Sequence, residues 1–254
     1  MICQIRLPFE SQKGLRYSVS ASSVMHGMLM EKIPTEYASL LHSLPIRPFS
    51  QYVWNSPDSG GGNAGNSGNV WTVNTLTQEA YENIAVPVLS LREAYIKHKK
   101  DLIVFGEPEI RYDSCDELLE RNSGGTGAVL QFLTPCAFKA AGSYVNIPDI
   151  RMMFTGLAKR FDSIYGIEDN DYDALSAELL RCVATPDFRI ESTVFQTEGV
   201  KIPAFTGYIS LRTKGSPEFR SYVSMLCSFA EYSGIGIKTA LGMGHVIRKR
   251  HGTV

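Results

Sequence analysis

Cysteine is scarce and unpatterned in this chain: Cys3, Cys115, Cys136, Cys182 and Cys227 are odd in number, scattered, and never spaced as C-x-x-C. That argues against a disulfide framework and a thiolate zinc site, and it suits a reducing compartment. Neither sign of charge dominates. The formal net charge is −1, so there is no global basic signature, and any nucleic-acid surface must be a local patch. No apolar run approaches the length of a membrane span, and Met-Ile-Cys-Gln-Ile-Arg-Leu-Pro at the start lacks the apolar core of a signal peptide. The expected location is the cytoplasm, with no membrane partner. Histidine is also sparse, and the five present show no close ligand spacing, so neither a metal nor another cofactor is expected. With 44% hydrophobic and 20% charged residues, the remainder reads as an ordinary soluble protein of one large or two small domains.

Glycine, by contrast, is concentrated where it matters. Residues 234–244 read Gly-Ile-Gly-Ile-Lys-Thr-Ala-Leu-Gly-Met-Gly, with Gly-x-Gly pairs on either side of Lys238 and Thr239. Such a segment turns sharply and brings backbone N–H groups close to an anion. Lys238 adds a mobile charge and Thr239 a hydroxyl for phosphate or sugar. A nucleotide-binding P-loop is excluded, because Ile237 rather than glycine precedes the lysine and the helix comes before the strand. Gly234 alone would serve as a helix C-cap. Four glycines around a Lys-Thr pair exceed what a cap requires, and they point toward RNA.

Periodicity outlines two similar halves. Residues 2–9 alternate as a strand, and 20–32 form a helix with Ser20, Ser22 or Ser23 as N-cap. After Pro34 a short helix runs from Thr35 to about His42. Residues 48–54 and 69–76 read as paired strands around the low-complexity tip 56–68, which composition marks as mobile. A helical region is expected over 77–98 and a fourth strand over 102–111. Asn122–Gly127 reads as a hinge. Beyond it come a strand (128–134), helices (149–165 and about 171–184), a hairpin (188–196 with 201–213), a strongly periodic helix (217–232) and a last strand (244–249). Each half is approximately β-α-β-β-α-β, so the expected fold is α+β: tandem ferredoxin-like domains over 1–122 and 128–254.

Several stretches resemble a known family. Ser23-Val-Met-His-Gly-Met-Leu-Met30 is similar to the first helix of members associated with type III systems. Leu41-His42 followed by Arg47-Pro-Phe-Ser50 resembles a catalytic-histidine region. Val200–Gly207 resembles a second-domain hairpin, and Phe229–Gly244 matches a signature loop. On these segments the chain resembles the Cas6 family, the CRISPR-associated endoribonucleases that process precursor repeat RNA. The resemblance spans about 1–247 and is weakest over 55–125.

What it implies is cleavage by the ribose itself, without a metal. A base frees the 2′-hydroxyl to attack the neighbouring phosphate, and an acid protonates the departing 5′-oxygen. The ends left are a 2′,3′-cyclic phosphate and a 5′-hydroxyl. Histidine titrates near the working pH and suits both tasks. His42, at the end of its helix, is the first candidate, since the helix dipole there favours its protonated form. His26 is the second, on a helix where relatives commonly carry a tyrosine; which histidine is acid and which is base stays open. Arg47 stands where a lysine is frequent, and its role would be electrostatic because it does not release a proton at neutral pH. Tyr37 is set aside, its spacing from His42 placing it on another face. His98 lies in the basic run 97–100 and His251 in a basic tail. Gly236, Lys238, Thr239, Gly242 and Gly244, with Lys201, are the residues expected to hold RNA. The expected partners are precursor CRISPR repeat RNA and a type III effector complex, with the protein a monomer or homodimer. Two other readings stand beside this one: a catalytically silent RNA-binding scaffold subunit, and a protein-interaction or ligand-sensing double ferredoxin domain with no affinity for repeat RNA.

Overall fold

A computed structural model of the chain describes residues 1–55, 68–168, 170–197 and 199–249. The glycine-rich tip, all but Gly68, and residues 250–254, with His251, lie outside the described residues. The chain forms two compact units, Met1–Tyr112 with Ala240–Gly242 and Asp113–Thr239 with Met243–Val254.

In the first unit, β1 (Ile2–Ser11) buries Ile5, Leu7 and Phe9 by strict alternation. It pairs antiparallel with β3 (Asn69–Thr75), Cys3 opposite Thr75 and Phe9 opposite Asn69. β3 in turn pairs with β2 (Phe49–Asn55). The other edge of β1 receives β5 (Asp101–Phe105), which carries β4 (Glu93–Ile96), while β6 (Glu109–Asp113) also pairs with β1. Between β1 and β2 come α1 (Ser22–Lys32) and α2 (Thr35–Ser43). Strand order β2-β3-β1 followed by a fourth strand is what a β-α-β-β-α-β chain produces.

The helix expected over 77–98 is shorter. It consists of α3 (Gln78–Ala80), a π turn (Tyr81–Ala85) and α4 (Val86–Leu89), and residues 93–96 are strand β4. There Ala94 and Ile96 are buried while Glu93 and Tyr95 are exposed, a period of two too short to separate from a helix turn by pattern. The single strand expected over 102–111 is two, interrupted at Gly106-Glu107-Pro108, where proline cannot donate to a ladder. None of the serines caps α1; its N-cap is Ala21, without a side-chain bond. Ser22 is instead fully buried, its hydroxyl accepting the Val53 N–H at 2.9 Å.

The second unit repeats the plan. Its sheet runs β10-β11-β7-β12, built from β7 (Gly127–Cys136), β10 (Val183–Thr197), β11 (Val200–Thr213) and β12 (Val246–Lys249). Helices α5 (Cys115–Arg121), α6 (Ile150–Tyr165), α7 (Tyr172–Cys182) and α8 (Pro217–Ser233) belong to it. An extra hairpin, β8 (Phe138–Ala140) with β9 (Ser143–Val145), was not legible in the sequence. Asp149 caps α6 through Met152 N–H, and Ser216 caps α8 through Phe219 N–H. Phe154 and Phe161 of α6 and Phe229 of α8 are buried, and burial of such a side chain contributes about 1.5–3 kcal/mol. Asn122, expected in a hinge, is buried here and accepts hydrogen bonds from Ser224, Ser228 and the Arg248 guanidinium. Among the described residues no helix is long and apolar enough to cross a membrane.

Candidate active site

Three of the candidate residues come together in the first unit. His42 sits in the last turn of α2 and is exposed. Arg47, half-buried, returns to that helix end and donates from Nε to the Leu41 carbonyl at 3.3 Å. The C-terminal end of a short helix therefore presents an imidazole and a guanidinium beside its orphan carbonyls, where the dipole favours positive charge. Tyr37, one turn back, is buried in the core, so α2 does direct it and His42 to different faces.

His26 faces them from α1. Its ring lies parallel to that of Phe49 with centroids 6.0 Å apart. A ring N–H bonds the Ala240 carbonyl, while Nδ1 is buried without a partner, so Nε2 makes the bond. Burial first, then the charges of Arg47 and His42, hold its pKa down to about 4, against the opposing pull of Ala240. His26 is consequently neutral at neutral pH, with the Nδ1 lone pair unused. Its geometry provides an acceptor, not a cationic donor.

That shift carries a stability prediction. The folded pKa lies below the unfolded value, so between about pH 6.5 and pH 4 the unfolded chain binds the extra proton and stability falls with acidity. Between pH 7 and about pH 4.5 His26 is expected to cost about 2 kcal/mol. Urea unfolding at both pH values checks it: His26→Gln should remove that part of the pH dependence, and an unchanged dependence would refute the assignment.

Behind His26 lies a buried polar cluster that the sequence did not announce. Gln51 Nε2 donates to the Ala240 carbonyl and to the Ser22 carbonyl, both at 2.8 Å. Its Oε1 accepts the Trp71 indole N–H at 2.8 Å. Gln51, Ser22 and Trp71 are fully buried and Ala240 nearly so. Ala240 C=O thus accepts from both His26 and Gln51, and the amide fixes the carbonyl that orients the imidazole. The available signal was Gln51 itself, a large polar residue inside a run of strand formers. Such a group is tolerated in a core only when every polar atom is paired.

The glycine loop divides into packing positions and exposed ones. A Cβ on Gly244 (φ +68°) would lie 1.8 Å from the Ile235 carbonyl oxygen, and one on Gly242 (φ +104°) 2.2 Å from Ser22 Cβ. These glycines let backbone approach backbone and helix start. Gly236 is similarly close to the Ala137 carbonyl. Thr239 is buried, and its carbonyl bonds His245 Nε2 at 3.1 Å. Lys238 is exposed and holds φ +54°, unusual for a residue with a Cβ. Lys201 is exposed near the turn of the β10–β11 hairpin, opposite Gln196. Among the described residues no three of His, Cys, Asp and Glu cluster as metal ligands would.

Comparison with known proteins bears on the family and the fold. Residues 130–246 match the family model of the CRISPR-associated endoribonuclease Cas6. The chain is 32% identical to a Mycobacterium tuberculosis protein of that description, over 87% of this chain and 69% of that one. It is 30% identical to one from Streptococcus thermophilus, over 87% and 88%. Among solved structures, a Cas6 product complex superposes with a TM-score of 0.79 at 22% identity, covering 98% of this chain and all of the other. Thermus thermophilus Cas6 gives 0.73 at 21%, covering 98% of each. At those identities the structures speak to the fold, which is the tandem ferredoxin-like one.

Proposed function

The chain belongs to the Cas6 family of CRISPR-associated endoribonucleases, and from that premise we propose that it cuts precursor CRISPR RNA within the repeat by 2′-hydroxyl attack. The products are a 2′,3′-cyclic phosphate and a 5′-hydroxyl, and no metal takes part. The observation that supports this is the meeting of two imidazoles and a guanidinium in one unit, two of them near enough to His26 to depress its protonation.

Roles follow from the environments. His42, exposed at a helix C-terminus, is the acid that protonates the departing 5′-oxygen. His26, neutral in the free protein, is the group that accepts from the 2′-hydroxyl; its unpartnered Nδ1 is buried, so RNA binding has to uncover it. A low pKa makes it a weak base in the free protein. An RNA phosphate beside Arg47 and His42 would offset the charges that hold it down and bring it nearer the working range. Arg47 stabilises charge that builds on the phosphate oxygens. Lys238 and Lys201, both exposed, contribute phosphate contacts, which position RNA without reading its sequence. Gly236, Gly242 and Gly244 serve binding by shaping the loop, and Thr239 by its backbone. The resemblance of α1 to type III-associated members supports a type III effector complex as the recipient of the product.

The test uses end-labelled repeat RNA in excess EDTA beside the same RNA carrying one 2′-deoxy sugar at the cut. Cleavage of the first and survival of the second are expected. Loss of activity in EDTA would end the metal-independent reading, and tight binding with neither RNA cut would favour a silent scaffold.

A further inference from the structure

The second unit holds a cavity of about 260 Å³ lined by Phe138 and Lys139 of β8, Lys159 and Arg160 of α6, and Gly236 and Ile237 of the glycine loop. Its wall carries three cationic side chains and no carboxylate. Arg160 donates from Nη1 to the carbonyls of Ser233 (2.5 Å) and Gly234 (3.0 Å), and from Nη2 to that of Gly236 (3.3 Å). Those bonds fix the guanidinium against the end of α8 but use only three of its five N–H donors. Carbonyls orient a cation; they do not neutralise it, and a helix end supplies only about half a negative charge. Burial pulls the Arg160 pKa down to about 10, the mark of a cation lacking sufficient counter-charge.

Neither lysine relieves this. Among the described residues none of the ion pairs involves Lys139, Lys159 or Arg160. Lys159 lies over the Tyr172 ring, 5.0 Å from its centroid. Three like charges around one cavity repel, and an anion entering it would remove both that repulsion and the unmet desolvation of Arg160. The same lining includes apolar side chains, among them Ile237 and Met152, both half-exposed. A phosphate with a planar base attached matches both kinds of lining. The volume is small for a drug-sized ligand and suits a single nucleotide.

We propose that this cavity binds one unpaired nucleotide of the RNA substrate, its phosphate on Arg160, Lys139 and Lys159 and its base against Ile237 and Met152. This rests on the RNA-processing reading above and adds a contact in the second unit that the cleavage chemistry does not require. The experiment is fluorescence-anisotropy titration of repeat RNA made non-cleavable by a 2′-deoxy sugar, repeated across a salt series. Lys139→Glu and Lys159→Glu are each expected to weaken binding about tenfold and to lower the salt slope by about one. Lys214→Glu, exposed and outside the cavity, should change neither. Wild-type affinity and slope in both cavity variants would overturn the proposal. If the wild-type protein bound no repeat RNA at all, the reading beneath it would fail instead. AMP offered in the same titration should not saturate the site at micromolar concentration. Tight AMP binding that left RNA binding untouched would reassign the cavity to a free nucleotide.

Discussion

Alanine at His42 is expected to slow repeat-RNA cleavage by about 10²–10⁴-fold, the usual worth of a positioned acid or base. His42 is exposed at the end of α2 and supports no core contact, so the loss should come with unchanged thermal stability and with RNA binding retained. Single-turnover cleavage at saturating protein separates these readouts. The size of the loss depends on what replaces the missing proton, and a substrate with a better leaving group than a 5′-alkoxide reports on that directly. With a 5′-phosphorothiolate at the cut, the departing sulfur needs no proton, and His42→Ala should recover most of its rate. His26→Ala should not recover, because its role precedes departure of the leaving group. Equal rescue of both variants would reverse or merge the two assignments. Cleavage by His42→Ala at the wild-type rate would remove the residue from the mechanism.

What was legible in the sequence and what was not divides along physical lines. α8 and α6 were readable because their apolar residues recur at helical spacing over four turns and both have a side-chain cap. β4 was not, since four residues give too little alternation to oppose a helical neighbour. The serines before α1 were readable as caps by type alone, yet the structure uses Ser22 as a buried acceptor for Val53, a long-range partner that local pattern does not contain. His26, His42 and Arg47 could be nominated from residue type and family likeness. Their differing protonation could not, because it arises from burial, from Phe49 and from a carbonyl of Ala240, more than two hundred positions along the chain from His26. The glycine loop was read as a binding element. The structure adds that Gly242 and Gly244 are demanded by close packing, and that the loop's exposed cation is Lys238.

That distant carbonyl underlies the other large effect. Gln51→Leu keeps the side-chain size but removes a donor pair and an acceptor at a fully buried position. The Trp71 indole N–H and the Ser22 carbonyl then lose their Gln51 partner, while Ala240 keeps only His26. At about 1–3 kcal/mol for each orphaned group, partly offset by the added apolar contact, a destabilisation of about 2–4 kcal/mol is expected in urea unfolding. Activity should fall as well, with kcat reduced more than KM is raised, since the Ala240 carbonyl orients the imidazole rather than the RNA. Gln51→Glu tests the direction of the bonds. A carboxylate accepts from Trp71 but has nothing to donate to the two carbonyls, so it is disfavoured when ionised and its pKa must rise. A raised folded pKa places its stabilisation at low pH, to be lost as pH climbs through that value, opposite in sign to the effect of His26. The glutamate variant should therefore be nearest to wild-type stability in mild acid and weakest at neutral pH. Trp71→Phe, which removes the indole donor, should make the Gln51→Leu change less costly than it is alone, because the orphan is already gone. Additive costs for the pair, or a glutamate variant indifferent to pH, would mean that Gln51 fills space and does not hold the carbonyl in place.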